Sequence, residues 1–177
     1  MKVLIIIFFS ILFFKSILFA QNNNLCIIAK DTIVIDTSNH QRILLGYCNR
    51  QAFKDTSFSW WFNSIYDMYE VDSITALKLK DKIDNIKITI IMGTWCSDSR
   101  RVVPKFLKVT DYLKIPDNDV SILTIGRDKK GRANETDSLK IELVPTIIFY
   151  RNGKEIGRIV ESPKETIEKD VLKILDS

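Results

Sequence analysis

Ile88-Thr-Ile-Ile-Met-Gly-Thr-Trp-Cys-Ser-Asp-Ser-Arg-Arg101 is the stretch on which the fold of this chain turns. An apolar, β-branched run stops at Gly93, and a tryptophan-cysteine pair, Trp95-Cys96, follows at once. The short polar side chains of Ser97, Asp98 and Ser99 come next, and such residues open helices well. The arrangement predicts a strand that delivers Cys96 to the first turn of a helix. There the unpaired N–H groups and the positive end of the helix dipole favour a thiolate over a thiol. A cysteine so placed is expected to do chemistry rather than packing.

Two more features lie further along. Pro104 stands eight residues beyond Cys96, inside what should be the same helix, where proline normally costs about 3 kcal/mol. Leu143-Val144-Pro145-Thr146 then opens a second apolar strand, which leads to the Arg151-Asn152-Gly153-Lys154 hairpin turn and another strand. With Trp-Cys-x-x-x at a strand-to-helix junction, a proline eight residues on and Val-Pro-Thr before a strand, the chain resembles the thioredoxin superfamily. It is most similar to extracytoplasmic bacterial members whose motif reads Gly-Thr-Trp-Cys-x-Asp-Ser. The resemblance runs from about Asp84 to the C-terminus. It implies an α/β fold with a thioredoxin-like mixed β-sheet flanked by helices, and a cis Pro145 facing Cys96. It also implies a groove in which Trp95, Val144 and Pro145 meet substrate, the Val144 backbone pairing with an extended segment.

The departures matter equally. Dithiol members carry Cys-x-x-Cys, whereas this chain has Cys96-Ser97-Asp98-Ser99. Reduction of a disulfide passes through a mixed disulfide that a second thiol must resolve, and Ser99 cannot do so. The candidate catalytic pair is therefore Cys96 as nucleophile and Ser99 as a first-turn hydroxyl expected to hydrogen-bond to it. Ile90 occupies the position where many family members bury an acid. Asp98 and Arg100 are candidate modulators of Cys96 ionisation: the carboxylate opposes a thiolate and the guanidinium supports it.

Residues 1–20 have the form of a leader: Lys2, a continuously apolar Val3–Phe14 apart from Ser10, and Ala20 at the expected cleavage site. Lys15 interrupts the apolar run, so a cleaved signal peptide is favoured over an uncleaved anchor. The expected organisation is signal peptide 1–20, an N-terminal extension 21–83 of short strands and helices, and a thioredoxin-like domain 84–177, in an exported, periplasmic or otherwise extracytoplasmic protein. Removing Lys2 and Lys15 takes the 26 basic residues to 24 against 22 acidic, a net of +2. That balance gives no reason to expect nucleic acid as partner, and membrane contact only if the leader stays uncleaved. Three cysteines in an oxidising setting leave at least one unpaired within the monomer. Cys26 and Cys48 form a candidate disulfide; the alternative is two small buried apolar residues. With His40 the single histidine, beside Asn39 and Gln41 in an expected exposed turn, neither a metal site nor a cofactor is expected.

Along the chain, Cys26–Ala29, Thr32–Asp36 and Arg42–Tyr47 read as short strands. Phe58–Tyr69 reads as a helix with Trp61, Ile65, Met68 and Tyr69 inward; packing against the domain is favoured over a client-binding surface. A second helix is expected with Ser73 as N-cap and Ile74, Leu77 and Ile83 inward. The spacing further predicts strands Lys87–Met92 and Val120–Ile125, apolar enough to lie under helices on both faces. Helices are expected over Arg100–Leu113, Thr136–Ile141 and Pro163–Leu175. Two functions fit: a single-thiol oxidoreductase forming mixed disulfides with exported proteins or small thiols, and a non-catalytic module that holds a client in the Pro145 groove.

Overall fold

The computed structural model describes residues 33–133 and 135–177. The expected leader, the Cys26–Ala29 strand and the Cys26 half of the candidate disulfide lie outside them. In chain order the elements are β1 (Ile33–Ile35), β2 (Arg42–Leu44), β3 (Gly46–Cys48), a 3-10 turn (Arg50–Lys54), α1 (Thr56–Met68) and α2 (Ser73–Leu79). Then come β4 (Ile86–Met92), α3 (Ser97–Tyr112), β5 (Val120–Thr124), β6 (Thr146–Arg151), β7 (Lys154–Val160) and α4 (Ile167–Leu175). The order β3-β5-β4-β6-β7 makes one mixed sheet in which β4 and β5 are parallel and the other pairs antiparallel. This is the mixed sheet flanked by helices that the motifs predict. β1 and β2 form a separate hairpin.

The expected Arg42–Tyr47 strand is two strands. Gly46 takes φ 95°, a conformation that only glycine adopts freely, and the chain turns there from the hairpin into the main sheet. His40 lies exposed in the hairpin turn with φ 57°.

The two faces of the sheet are covered differently. Ile86, Ile88, Ile90 and Met92 of β4 point into a large core that receives side chains from all four helices, among them Phe58, Leu79, Phe106 and Val171. The opposite face carries a smaller core of Ile91, Leu123, Ile125, Val144 and Ile148, closed by Trp95, Cys96, Leu139 and Ile141. No helix covers that face among the described residues, contrary to expectation. The predicted Thr136–Ile141 helix is a turn: Leu139 N–H bonds the Thr136 carbonyl, three residues back, and Lys140 takes φ 52°.

All four helices begin elsewhere than predicted; in three of them a side-chain cap sets the start. Asp72, not Ser73, caps α2 by accepting from Thr75 N–H. The helix rotates accordingly, burying Thr75, Ala76 and Leu79 and leaving Ile74 and Leu77 exposed. In α1, capped by Asp55, the side chains packed on the core are Phe58, Trp61 and Phe62, and Met68 falls outside them, 77% exposed. Thr166 caps α4, and Asp170 accepts from the N–H groups of Lys164 and Glu165, which leaves Pro163 in the preceding turn.

A buried polar contact ties the segment between α1 and α2 to the last helix. Glu168 is fully buried, and its carboxylate accepts from Tyr69 Oη at 3.0 Å and from Asp72 N–H at 3.1 Å. Burial, followed by the nearby Glu168 charge, raises the Tyr69 pKa, so its hydroxyl stays a donor.

Candidate functional site

Cys96 stands at the carboxyl end of β4 as the N-cap of α3, with φ −87° and ψ 128°. The helix therefore begins at Ser97, three residues before the predicted Arg100, and runs through Pro104 to Tyr112. The cysteine side chain makes no capping bond. Its half-exposed thiol instead donates to the Val144 carbonyl at 3.2 Å. The Val144–Pro145 peptide bond is cis, as the resemblance implies. Cys96, Val144 and Pro145 thus meet, with Trp95 beside them in the same small core.

Ser99 does not take the predicted partner. It is fully buried, and its Oγ accepts from Gly93 N–H at 3.2 Å, tying the first turn of α3 to the end of β4. The N–H groups left over where a strand ends need acceptors, and the Ser99 hydroxyl supplies one to Gly93. Asp98 pairs with Arg101 at 2.7 Å, and Arg101 also donates to Ser162. Arg100 is half-buried, its Nε donating to the Thr94 carbonyl at 2.6 Å and its guanidinium centred 5.7 Å from the Trp61 ring. Burial lowers the Arg100 pKa; Cys96 acts in the opposite sense and Arg127 reinforces the lowering.

Three residues that sequence reasoning missed complete the surroundings. Arg127 lies 4.9 Å over the Trp95 ring, and its Nε donates to Asp36 at 2.7 Å. Thr94 is fully buried and accepts from Leu44 N–H through Oγ1 at 3.0 Å. Trp95 itself donates from Nε1 to the Ile125 carbonyl at 2.8 Å, and its indole folds so closely over Gly93 that a Cβ there would lie 2.5 Å from the ring. The β1–β2 hairpin thus reaches the Cys96 loop twice, through Leu44 and through Asp36. One signal was available. β4 and β5 are parallel, so the residues just past their carboxyl ends, Thr94–Cys96 and Arg127, lie side by side where open α/β sheets place their sites.

The Asp36 contact carries a pH signature. Bonds from the Ser38 hydroxyl and N–H, and then from Arg127, lower the Asp36 pKa from 3.8 to about 2. A depressed folded-state value stabilises the fold above the unfolded pKa and loses that contribution as pH falls through the folded one. The Asp36–Arg127–Trp95 contact should therefore be intact above pH 4 and released between about pH 4 and 2. The Trp95 indole N–H resonance, followed through that range, checks this; movement centred near pH 6 would contradict it.

Cys48, at the end of β3, sits against the large core, and burial pushes its thiol up to about 12. Iodoacetamide at neutral pH should therefore leave Cys48 unlabelled in folded protein and label it once the protein is unfolded. Peptide mapping of the two samples decides the matter, and rapid labelling of folded Cys48 would refute it.

Residues 58–173, well over half of the chain, match the Thioredoxin family, and the chain belongs to that family. The match begins inside α1, upstream of Asp84. Thioredoxin-like protein R548 of Acanthamoeba polyphaga mimivirus is 26% identical over 110 residues, covering 62% of this chain and 77% of that protein. Thioredoxin H9 of Arabidopsis thaliana is 27% identical over 97 residues, 55% of this chain and 65% of its own length. Among solved structures, a protein of unknown function from Pseudomonas aeruginosa superposes with a TM-score of 0.51 at 13% identity, covering 72% of this chain and 89% of that one. Fold and relatives are those of thioredoxin-type redox proteins.

Proposed function

We propose that this protein is a thiol-disulfide oxidoreductase that works with the single nucleophile Cys96. The observation that carries the reading is that Cys96 occupies the N-cap of a 16-residue helix with its sulfur unused for capping, beside Val144 and Pro145. The Cys96 thiolate attacks one sulfur of a substrate disulfide, forms a mixed disulfide and expels the other sulfur as a thiolate, which takes up a proton. The Val144 carbonyl, freed of the Cys96 hydrogen, can then accept from a backbone N–H of the substrate. An external thiolate next attacks the substrate sulfur of the mixed disulfide, carries the substrate away as a new disulfide and returns the Cys96 thiolate. Ser99 does not complete that last step, because it is a hydroxyl turned toward Gly93. The substrates on this reading are disulfide- or thiol-containing exported proteins, or small thiols. Export itself is inferred from the leader-like residues 1–20, and mature protein is expected to begin at Gln21.

Incubation with the neutral model disulfide of 2-mercaptoethanol, followed by peptide mass analysis, tests the reading. A mixed disulfide on Cys96 that added thiol releases is expected, and none in Cys96→Ser. If wild-type protein accumulates no adduct and Cys96 resists iodoacetamide, the oxidoreductase reading fails. The alternative it would leave is a binding module using the Pro145 groove, favoured by the commitment of Ser99 to a structural bond.

A further inference from the structure

We propose that Arg100 and Arg127 form an anion-recognition site beside Cys96, and that the thiol releasing the mixed disulfide is a low-molecular-weight thiol bearing a carboxylate. This inference rests on the single-thiol reading above, which requires a releasing thiol from outside the chain.

The two guanidiniums flank the same short segment. Arg100 is anchored through Nε to the carbonyl of Thr94, and Arg127 lies over the ring of Trp95, the two residues that immediately precede Cys96. Arg100 is also one helical turn from the cysteine, its N–H bonding the Cys96 carbonyl at 3.1 Å. Each arginine spends only Nε on a hydrogen bond within the protein, to Thr94 and to Asp36. Among the described residues, the terminal nitrogens of both donate to no protein group. A guanidinium presents its donors as a planar fork that matches a carboxylate, so these unspent nitrogens are what an acid-bearing ligand needs.

The neighbouring carboxylates do not fill the site. Asp98 turns to Arg101, and Asp128 accepts from the N–H of Lys130. Asp36 is shared between Ser38 and Arg127, and it offsets part of the Arg127 charge, while Arg100 has no acidic partner among the described residues. The loop that carries Arg127 adds exposed Lys129, Lys130 and Arg132. Arg100 is half-buried and Arg127 exposed beside it; neighbouring cations repel, and an anion bound by both relieves that repulsion. A carboxylate-bearing thiol would bring its sulfur to Cys96 while its acid group occupies this site. Its thiolate then attacks the substrate sulfur, forming the substrate–small-thiol disulfide and releasing the Cys96 thiolate.

Iodoacetate and iodoacetamide differ in charge and alkylate the same sulfur, so the ratio of their rates at Cys96 reads the site directly. That ratio, measured by peptide mapping at low salt, should fall roughly fivefold in Arg127→Gln, fall less in Arg127→Lys, which keeps the charge without the fork, and shrink as salt is raised. The mixed disulfide on Cys96 should be released faster by 3-mercaptopropionate than by 2-mercaptoethanol in wild type, and that preference should be lost in Arg127→Gln. A Cys96 that reacts with both alkylating agents but shows the same rate ratio in all three proteins overturns this inference and leaves the oxidoreductase reading standing. A Cys96 that reacts with neither agent overturns the oxidoreductase reading and this inference with it.

Discussion

Ser99→Cys is expected to let a mixed disulfide on Cys96 resolve without added thiol for one turnover, ending in a disulfide between residues 96 and 99 that a reductant must reopen before the next. Residue 99 lies three positions after Cys96 at the start of α3, where side chains three apart share a helix face. A thiol placed there attacks the mixed disulfide from within the molecule, forming a disulfide between Cys96 and the introduced sulfur and expelling the substrate as a thiolate. A tethered group acts at an effective concentration that bulk thiol seldom reaches, so release should quicken by about tenfold or more relative to wild type in about 0.1 mM small thiol. The substitution replaces the acceptor of the Gly93 N–H by a weaker one, which should cost about 1 kcal/mol of stability. Single-turnover release of a labelled model disulfide measures the gain, and adding Cys96→Ser to the variant should abolish it. Unchanged release in Ser99→Cys would show that position 99 does not address Cys96, and the expected resolution from within the molecule would be wrong.

Glu168→Ala should produce the largest loss of stability among polar substitutions in this chain. It removes the acceptor of the Tyr69 hydroxyl and the Asp72 N–H at a site with no solvent exposure. Leaving two buried donors unpaired should cost about 2–4 kcal/mol, which lowers the melting temperature by roughly 5–12 °C in a domain of this size. Both donors belong to the segment between α1 and α2, and Lys105 lies 5.6 Å over the Tyr69 ring, so the loss should loosen that segment from α3 as well as from α4. Glu168→Gln keeps one acceptor oxygen and should lose less; Tyr69→Phe removes one donor together with its need and should also lose less. Thermal unfolding of the three variants checks the order. A Glu168→Ala protein as stable as wild type would mean that this buried carboxylate does not hold that segment in place.

The strand–cysteine–helix junction was legible because its causes are local. β4 announces itself as an unbroken apolar run, Gly93 ends it, and the polar residues after Cys96 open α3. The hairpin at Asn152-Gly153 is local in the same sense: Asn152 has φ 53° and Gly153 φ 78°, as a tight two-residue turn requires. Cap competition was not legible. Asp72 and Ser73 are adjacent good caps, and the choice between them rotates α2 enough to exchange Ile74 for Thr75 at the core. Nor was the bare sheet face, since Thr136–Ile141 has helix-compatible residues and only packing over Ile91 and Ile148 decides that it turns instead.

By itself, then, the sequence determined that a cysteine would stand at a strand-to-helix junction and a proline would lead a later strand, and that no second thiol follows at the usual spacing. Those properties follow from periodicity and from the identity of single residues. The family resemblance placed Val144 and Pro145 by the sulfur, and tertiary structure decided the bonds made there and the rest of its surroundings. The Val144 carbonyl lies 48 residues from Cys96 in sequence, Arg127 and Asp36 are 91 apart, and Leu44 and Thr94 are 50 apart. Each of these contacts forms because parallel β4 and β5, with antiparallel β6 beside β4, bring distant segments to one end of a sheet. No local preference encodes such a pairing, and its partners become known only when the strand order is known.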